Sequence, residues 1–415
     1  MGFCYFYCPL RRYRLGVRTG GSQPSDRGSN PRSATNIRSS KSTPITEQAC
    51  FWYDEPVINR LAICLALLSV IAASLPALPE PPVKIKLGPP LEIGREGLLF
   101  GSIASVCEDD SANFYVLDQR EQTVLKFSSD GRLLMRFGRK GQGPGDFQSP
   151  GQIVFTSQGE LAVLEDLYYV SFHRTDGTFI RRLDLNGRLG LGFVGPDRYY
   201  AWHWRPEDRQ QLLVDSKNTV LGTFHAIARE RFSALLPDET GRTVMFNYSH
   251  EAYVPQFLYA YGGGLAAIGI SDRYEIALLD EQGQTVKTIR RDEKPQKISA
   301  KETDFLEREL RDFVKSKSWP ERVGRELGKK IPASKNNVNA VRISPERVLV
   351  FRFPPDITVE PHRFPVDVFT REGDFLGPGE LSEVPLFVSA TAMYFSRADE
   401  DGNVYLIKRS YSFQP

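Results

Sequence analysis

Cysteine is scarce in this 415-residue chain. The five residues are Cys4, Cys8, Cys50, Cys64 and Cys107, so nothing beyond Cys107 supplies a thiol. That excludes an internal disulfide framework or a thiolate metal cluster from the main body. Cys107 follows the short uncharged run Ala104–Val106 and reads as a core position. Histidine is as thin: His173, His203, His225, His250 and His362 are scattered, and none forms a His-x3-His or His-Glu-x-x-His pair. A motif-type zinc site is therefore unsupported. A Gly-x-Ser-x-Gly elbow is missing too, which removes one class of serine hydrolase. The net charge is only +2. Beyond the N-terminal segment basic residues are interspersed with acidic ones, an argument against nucleic acid as a partner.

Methionine is also missing, between Met1 and Met135. This matters because "RGSNPRSATN" (27–36) can be reverse-translated into a stem, a TTCGAAT loop, the complementary stem and a terminal CCA. That is the layout of a tRNA T-arm and acceptor end. Residues 1–56 therefore read as a spurious or disordered extension, with a start at a non-AUG codon near Val57. "VINRLAICLALLSVIAASLPALPEPP" follows. Arg60 gives a positive flank, Leu61 to Leu78 carries no charge, and Ala72 and Ser74 offer a small-x-small cleavage site. Residues 57–79 are thus expected to be a signal peptide, or an uncleaved membrane anchor.

What the chain does have is aromatic side chains, 26 Phe and 17 Tyr, which favour strands. From residue 83 the pattern repeats. "FYVLDQREQTVLKFSSDGRLLMRFG" (114–138) aligns with "LAVLEDLYYVSFHRTDGTFIRRLDL" (161–185): alternating runs joined by an Asp-Gly hairpin turn. Asp130 and Asp176 are 46 residues apart, the spacing of a propeller blade. Weaker copies occupy 199–224, 265–290 and 348–377, and 404–413 is a copy cut short by the C-terminus. "VKIKLG" (83–88) is placed to supply a missing outer strand and close the ring.

"FGRKGQGPGDFQSPGQI", "GELAVLE" and "VSFHRTDGTFIRRL" resemble the six-bladed β-propeller group with NHL-type repeats. The resemblance implies an all-β fold over 83–415. One segment departs from it. "SAKETDFLERELRDFVKSKSWPERVGRELGKKIP" (299–332) reads as helix, with Ser299 and Glu302 as a capping box and Leu306, Leu310, Phe313 and Val314 on one face. Pro320 interrupts it. We expect a helical insertion between blades, acting as a lid or as a buttress.

The glycine-rich run 137–155 invites a phosphate-loop reading. Such a loop opens a helix, whereas Pro144, Pro150 and the following strands make this run a connector between blades. Gly143, Gly145 and Gly151 are expected to give it unusual φ angles, and Phe147 to plug the space between blades.

Aligning the repeats places Asp118, Glu165, His203, Gly269, Arg352 and Lys408 at the end of the second strand of each unit. They are flanked by Arg120, Asp166, Trp202, Arg205, Asp272, Arg273 and Arg409. Equivalent positions in a radial repeat form a ring, and this one mixes charge with Trp and His. We read Asp118, Arg120, Glu165, Trp202, His203, Asp272, Arg273, Arg352 and Lys408 as a polar binding mouth, against the alternative of ordinary solvated turn ends. No catalytic residue, metal ligand or cofactor is assigned. The expected function is an exported, monomeric binding scaffold, periplasmic or extracellular, for a protein, peptide or glycan. Membrane attachment would come only through the N-terminal anchor. The resemblance leaves an alternative, since related propeller lactonases and amidating lyases bind calcium or zinc on the axis. Asp118, Glu165 and His203 offer a fragment of such a ligand set.

Overall fold

The computed structural model describes residues 81–415, apart from a few positions in and beside loops. The expectations for 1–56 and 57–79 lie outside the described residues. Strand β1 (Lys84–Ile93) leads into the first blade, β2 (Ile103–Glu108), β3 (Phe114–Asp118), β4 (Thr123–Phe127) and β5 (Leu133–Phe137). The second blade is β6 (Pro150–Phe155), β7 (Leu161–Glu165), β8 (Tyr169–His173) and β9 (Phe179–Asp184). The third is β10 (Leu189–Gly195), β11 (Arg198–Trp204), β12 (Asp208–Asp215) and β13 (Val220–Ala228). A separate hairpin, β14 (Ser233–Pro237) and β15 (Thr243–Asn247), precedes the fourth blade. That blade is β16 (Phe257–Gly262), β17 (Leu265–Ile270), β18 (Glu275–Leu279) and β19 (Thr285–Arg290).

Two helices follow, α1 (Ala300–Ser316) and α2 (Glu321–Gly328). The fifth blade is β20 (Ala340–Ile343), β21 (Arg347–Phe351), β22 (Phe364–Thr370) and β23 (Phe375–Leu381). The sixth is β24 (Phe387–Val388), β25 (Ala392–Ala398) and β26 (Val404–Gln414), with β1 as its outermost strand. The innermost strands β2, β6, β10, β16, β20 and β24 pack in sequence around the ring, and β24 meets β2. The fold is all-β, a six-bladed propeller closed by a strand from the N-terminal side.

Period-two patterning makes these sheets. The second strands β3 and β7 are buried at every position, as strands covered on both faces must be. The outermost strands are mostly exposed and leave Leu133, Ile180, Val220 and Val286 open to solvent. Five-residue turns centred on Asp-Gly, Lys-Asn, Gln-Gly and Glu-Gly join the third and fourth strands of the first five blades. In each, the first residue's N–H donates to the fifth residue's carbonyl, as in Ser128 to Arg132 and Arg174 to Thr178.

In a four-stranded antiparallel blade, every connection to the next blade emerges at one end, beside the turn between strands two and three. This end is the connection face. The glycine-rich run 138–149 is one such connection. Phe147 is fully buried between the first two blades, with its ring 5.4 Å from that of His173. Gly138, at φ +78°, lies so close to this ring that a Cβ would sit 2.0 Å from it. Of the three glycines expected to carry unusual φ, only Gly145 does, at +82°.

Ring closure corrects one alignment. The C-terminal strand β26 is the third strand of its blade, not the second, and β1 supplies the fourth. The error came from "DEDGNVYLIK", which imitates the first-blade stretch "DDSANFYVLD". Both turns are closed by an aspartate, Asp109 or Asp399, accepting from the N–H two and four residues on. One local turn chemistry serves two topological positions.

Candidate functional site

The turns between third and fourth strands fix the register of the first five blades. Phe127, His173, Val214, Leu279 and Phe369 precede equivalent turns and pair with Phe114, Leu161, Tyr199, Ala266 and Val348. Four residues further on, at the connection face, stand Asp118, Glu165, His203, Ile270 and Arg352. The sequence column is thus in register at four positions. In the fourth blade Ile270 holds the position and Gly269 is one residue short, which turns it to the opposite face. Lys408 does not belong to the column. It lies within β26, its ammonium against the rings of Phe114 and Tyr394 and donating to the Ser129 carbonyl at 3.0 Å. That side chain stitches the last blade to the first.

The column has a local role. Asp118 is buried, and its carboxylate accepts from the N–H groups of Gly101 (2.7 Å), Ser102 (3.0 Å) and Glu121 (3.2 Å). Glu165, fully buried, accepts from Gln148 N–H at 2.9 Å and pairs with Arg182 at 3.1 Å. Gly101, Ser102 and Gln148 all lie on the segment that feeds the same blade. In the fourth blade the Ser271 hydroxyl accepts from Gln256 N–H at 2.8 Å. Arg352 reaches Glu293, on the connection into its own blade, at 2.8 Å, and Asp367 at 3.5 Å. The strand ends therefore tether incoming connections, because a buried turn must satisfy its N–H groups somewhere. Asp118→Ala is expected to cost about 1–3 kcal/mol, since three donors lose one acceptor. Urea unfolding together with faster amide exchange at Gly101 and Ser102 checks this; unchanged exchange there contradicts the tether.

Other members of the predicted mouth are more open. Arg120, His203 and Arg273 are exposed, and Asp272 is half-buried with Arg273 at 3.7 Å. Trp202 is half-buried, with the Arg209 guanidinium 5.6 Å from its ring. Asp166 lies outside the described residues. Among the described residues no three His, Cys, Asp or Glu side chains are grouped to hold a metal ion.

Sequence reasoning found only the helical half of the largest feature on this face. The connections after the third and fourth blades are long, and they fold together into a cap. Hairpin β14–β15, the loop residues Tyr248 and Ala252 to Val254, and both helices share one hydrophobic cluster, which includes Phe246, Tyr253, Leu306, Leu310, Val314, Val323 and Leu327. Ile227, Ile270 and Phe353 join it from the third, fourth and fifth blades. The expected capping box is present: Ser299 Oγ accepts from Glu302 N–H, and Glu302 accepts from Ser299 N–H. The helices were legible from their 3.6-residue period. The hairpin was not, because its short strands resemble blade strands.

One side of the cap forms a cleft of about 440 Å³, lined by Glu207 of the third blade, Ser233 to Leu236 of β14, Glu326 of the second helix and Lys330 just past its end. Leu235 and Met245 face each other across the hairpin, 52% and 38% exposed. Ala234, by contrast, turns into the cap core. The Arg322 guanidinium donates to the Pro237 carbonyl and ties the helix to the end of this strand.

One family model agrees with the architecture. Residues 90–254 match the model of a family described as 6-bladed beta-propeller. No curated protein matches the sequence significantly. Among solved structures, a Bacteroides fragilis protein described as exported is similar at 10% identity and TM-score 0.49, over 79% of this chain and 95% of its own. A duf4221 family member from Bacteroides vulgatus is similar at 11% identity and TM-score 0.45, covering 80% and 99%. Virginiamycin B lyase from Staphylococcus aureus is similar at 9% identity and TM-score 0.38, covering 79% and 99%. The chain is a six-bladed β-propeller with a cap on its connection face.

Proposed function

We propose that this protein is an exported binding scaffold that takes a protein, peptide or glycan on its connection face, at the cleft beside the cap. The observation that carries the reading is the Leu235–Met245 pair, two large apolar side chains held side by side in solvent on a two-stranded ribbon. Glu207, Glu326 and Lys330 line the cleft beside them. An exposed apolar surface rimmed by charge is the usual composition of a recognition site. Rigid blades below and a separately packed cap above divide the work between scaffold and recognition surface. Export is supported by the charge-free run 61–78 behind Arg60, and the NHL-type character by the recurring hairpin turns.

The lyase-like or lactonase-like alternative draws on Asp118 and Glu165. Their carboxylates are already engaged by backbone N–H groups and Arg182, which leaves the binding reading better supported. Leu235→Thr combined with Met245→Thr should abolish partner recovery from the native source while leaving the melting temperature nearly unchanged, since both side chains are solvent-facing and threonines pair well across a ribbon. Val286→Asp, 55% exposed on an outer strand, is the control and should retain the partner. Retention by the double variant and loss by the control would overturn the proposal. Fractionation of cells carrying the full chain tests export, and recovery in the cytoplasm alone would contradict it.

A further inference from the structure

Arg182 pairs with Glu165, and Arg291 and Arg352 pair with Glu293 and Asp367. Arg342, near the opposite end of the fifth blade, has no carboxylate partner among the described residues. It sits on β20, the innermost strand of the fifth blade, opposite Leu349 and beside the seam with the sixth. Its Nε donates to the Pro385 carbonyl at 2.6 Å, and its Nη1 donates to the Val341 carbonyl at 2.8 Å. Both acceptors are neutral. Neither Nη2 nor the second N–H of Nη1 has an acceptor among the described residues.

The sequence explains why Arg342 reaches across. The innermost strand of the sixth blade is cut to Phe387–Val388. Pro385 precedes it and cannot donate to a ladder. The Arg342 side chain crosses the seam to the carbonyl of this proline. In doing so it brings a permanent positive charge into apolar surroundings, and burial pushes its pKa down to about 10. Buried charges are ordinarily compensated, because an unmatched ion in low dielectric is costly.

We propose that Arg342 is a subsite for a carboxylate-bearing ligand at the seam between the fifth and sixth blades. With Nε held by Pro385, the unsatisfied edge of the guanidinium is its Nη1–Nη2 end. That end presents two nearly parallel N–H groups, the fork that a planar carboxylate accepts in bidentate fashion. The residue is half-buried, so the guanidinium is open to solvent at the seam. One cation without a second basic partner matches a monoanion better than a dianionic phosphate. This subsite is separate from the cleft beside the cap, and it stands or falls independently of that reading.

Isothermal titration of the full chain with propionate and with inorganic phosphate, at constant ionic strength, tests the assignment in wild type, Arg342→Lys and Arg342→Met. Propionate should bind wild type. It should bind Arg342→Met about ten-fold more weakly or worse, with Arg342→Lys in between, because lysine keeps the charge and loses the fork. Phosphate should be the poorer ligand. Equal propionate affinity in wild type and Arg342→Met overturns the proposal. So does a wild type that binds no propionate, or one that prefers phosphate. If Arg342→Met fails to fold, Arg342→Lys carries the comparison, and its equality with wild type overturns the bidentate fork.

Discussion

Replacing Lys335 by Met will destabilise the protein by about 3–5 kcal/mol, the cost of stranding a buried charge. Lys335 and Glu302 are both buried, and their side chains meet at 2.7 Å. The Lys335 ammonium also donates to the carbonyls of Pro354 (3.0 Å) and Pro355 (2.8 Å), so its donors are fully used. Glu302 accepts in addition from Ile357 N–H at 3.1 Å and from Ser299, the N-cap of the first helix. One ion pair thus joins the start of α1, the segment entering the fifth blade and the loop after β21. Removing the lysine leaves Glu302 charged in the cap with no cation. Removing both, as Glu302→Leu with Lys335→Met, should cost less than the single change, because the remaining desolvation penalty disappears. A double-mutant cycle in urea measures both. A single variant within 1 kcal/mol of wild type would show that the pair is not the cap's lock.

The same pair gives a pH dependence. Burial alone would raise the Glu302 pKa, but hydrogen bonds from Lys335, Ser299 and Ile357 outweigh it and hold the carboxyl below its usual range. A carboxylate with a lowered folded pKa adds stability above its unfolded value, and that contribution disappears as pH falls through the folded one. Wild type should therefore lose stability on acidification below the ordinary glutamate range. The double variant should lose less over the same window.

The second large effect is at ring closure. Gly377→Val should abolish cooperative unfolding of the intact ring, or lower its melting temperature by many degrees. Gly377 lies on β23 with φ +139°, and a Cβ there would stand 2.3 Å from the Pro81 carbonyl oxygen. At neighbouring Gly379 a Cβ would meet the Val83 carbonyl at 2.9 Å. The two glycines let the chain pass over the fifth blade, where Val83 N–H donates to the Pro378 carbonyl at 2.7 Å. It then becomes β1 and pairs with β26 from Lys84–Gln414 to Ile93–Leu406. A side chain at 377 pushes this strand away and exposes β26 as an unpaired edge, a template for aggregation. Calorimetry with light scattering checks the outcome. A soluble variant with wild-type unfolding would show that β1 is not what closes the ring.

Much of the fold was legible because its signals are local. Period-two runs and Asp-Gly turns recur at blade spacing, and the helices announce themselves through a capping box and a 3.6-residue face. Topology was harder where one turn motif serves two positions, which is how Lys408 was misplaced by a strand. The site was harder still. Asp118 and Glu165 look like mouth residues in sequence, since charged residues at strand ends are commonly solvated. Burial reverses this: once a connection lies over them, their carboxylates are the nearest acceptors for its N–H groups. The cap was invisible as a unit because its core comes from two insertions separated by a whole blade, and no local period links Phe246 to Leu310.

The central claim is that the connection face is the working face of this propeller. Photo-crosslinking in the native source tests it most directly, with the reactive group placed in turn at Glu207 and Leu235 beside the cap, and at Asp176 and Asp280 in turns on the opposite face. The account predicts a discrete crosslinked partner from Glu207 and Leu235, and none from Asp176 or Asp280. Crosslinks concentrated at Asp176 and Asp280, with none beside the cap, would contradict it.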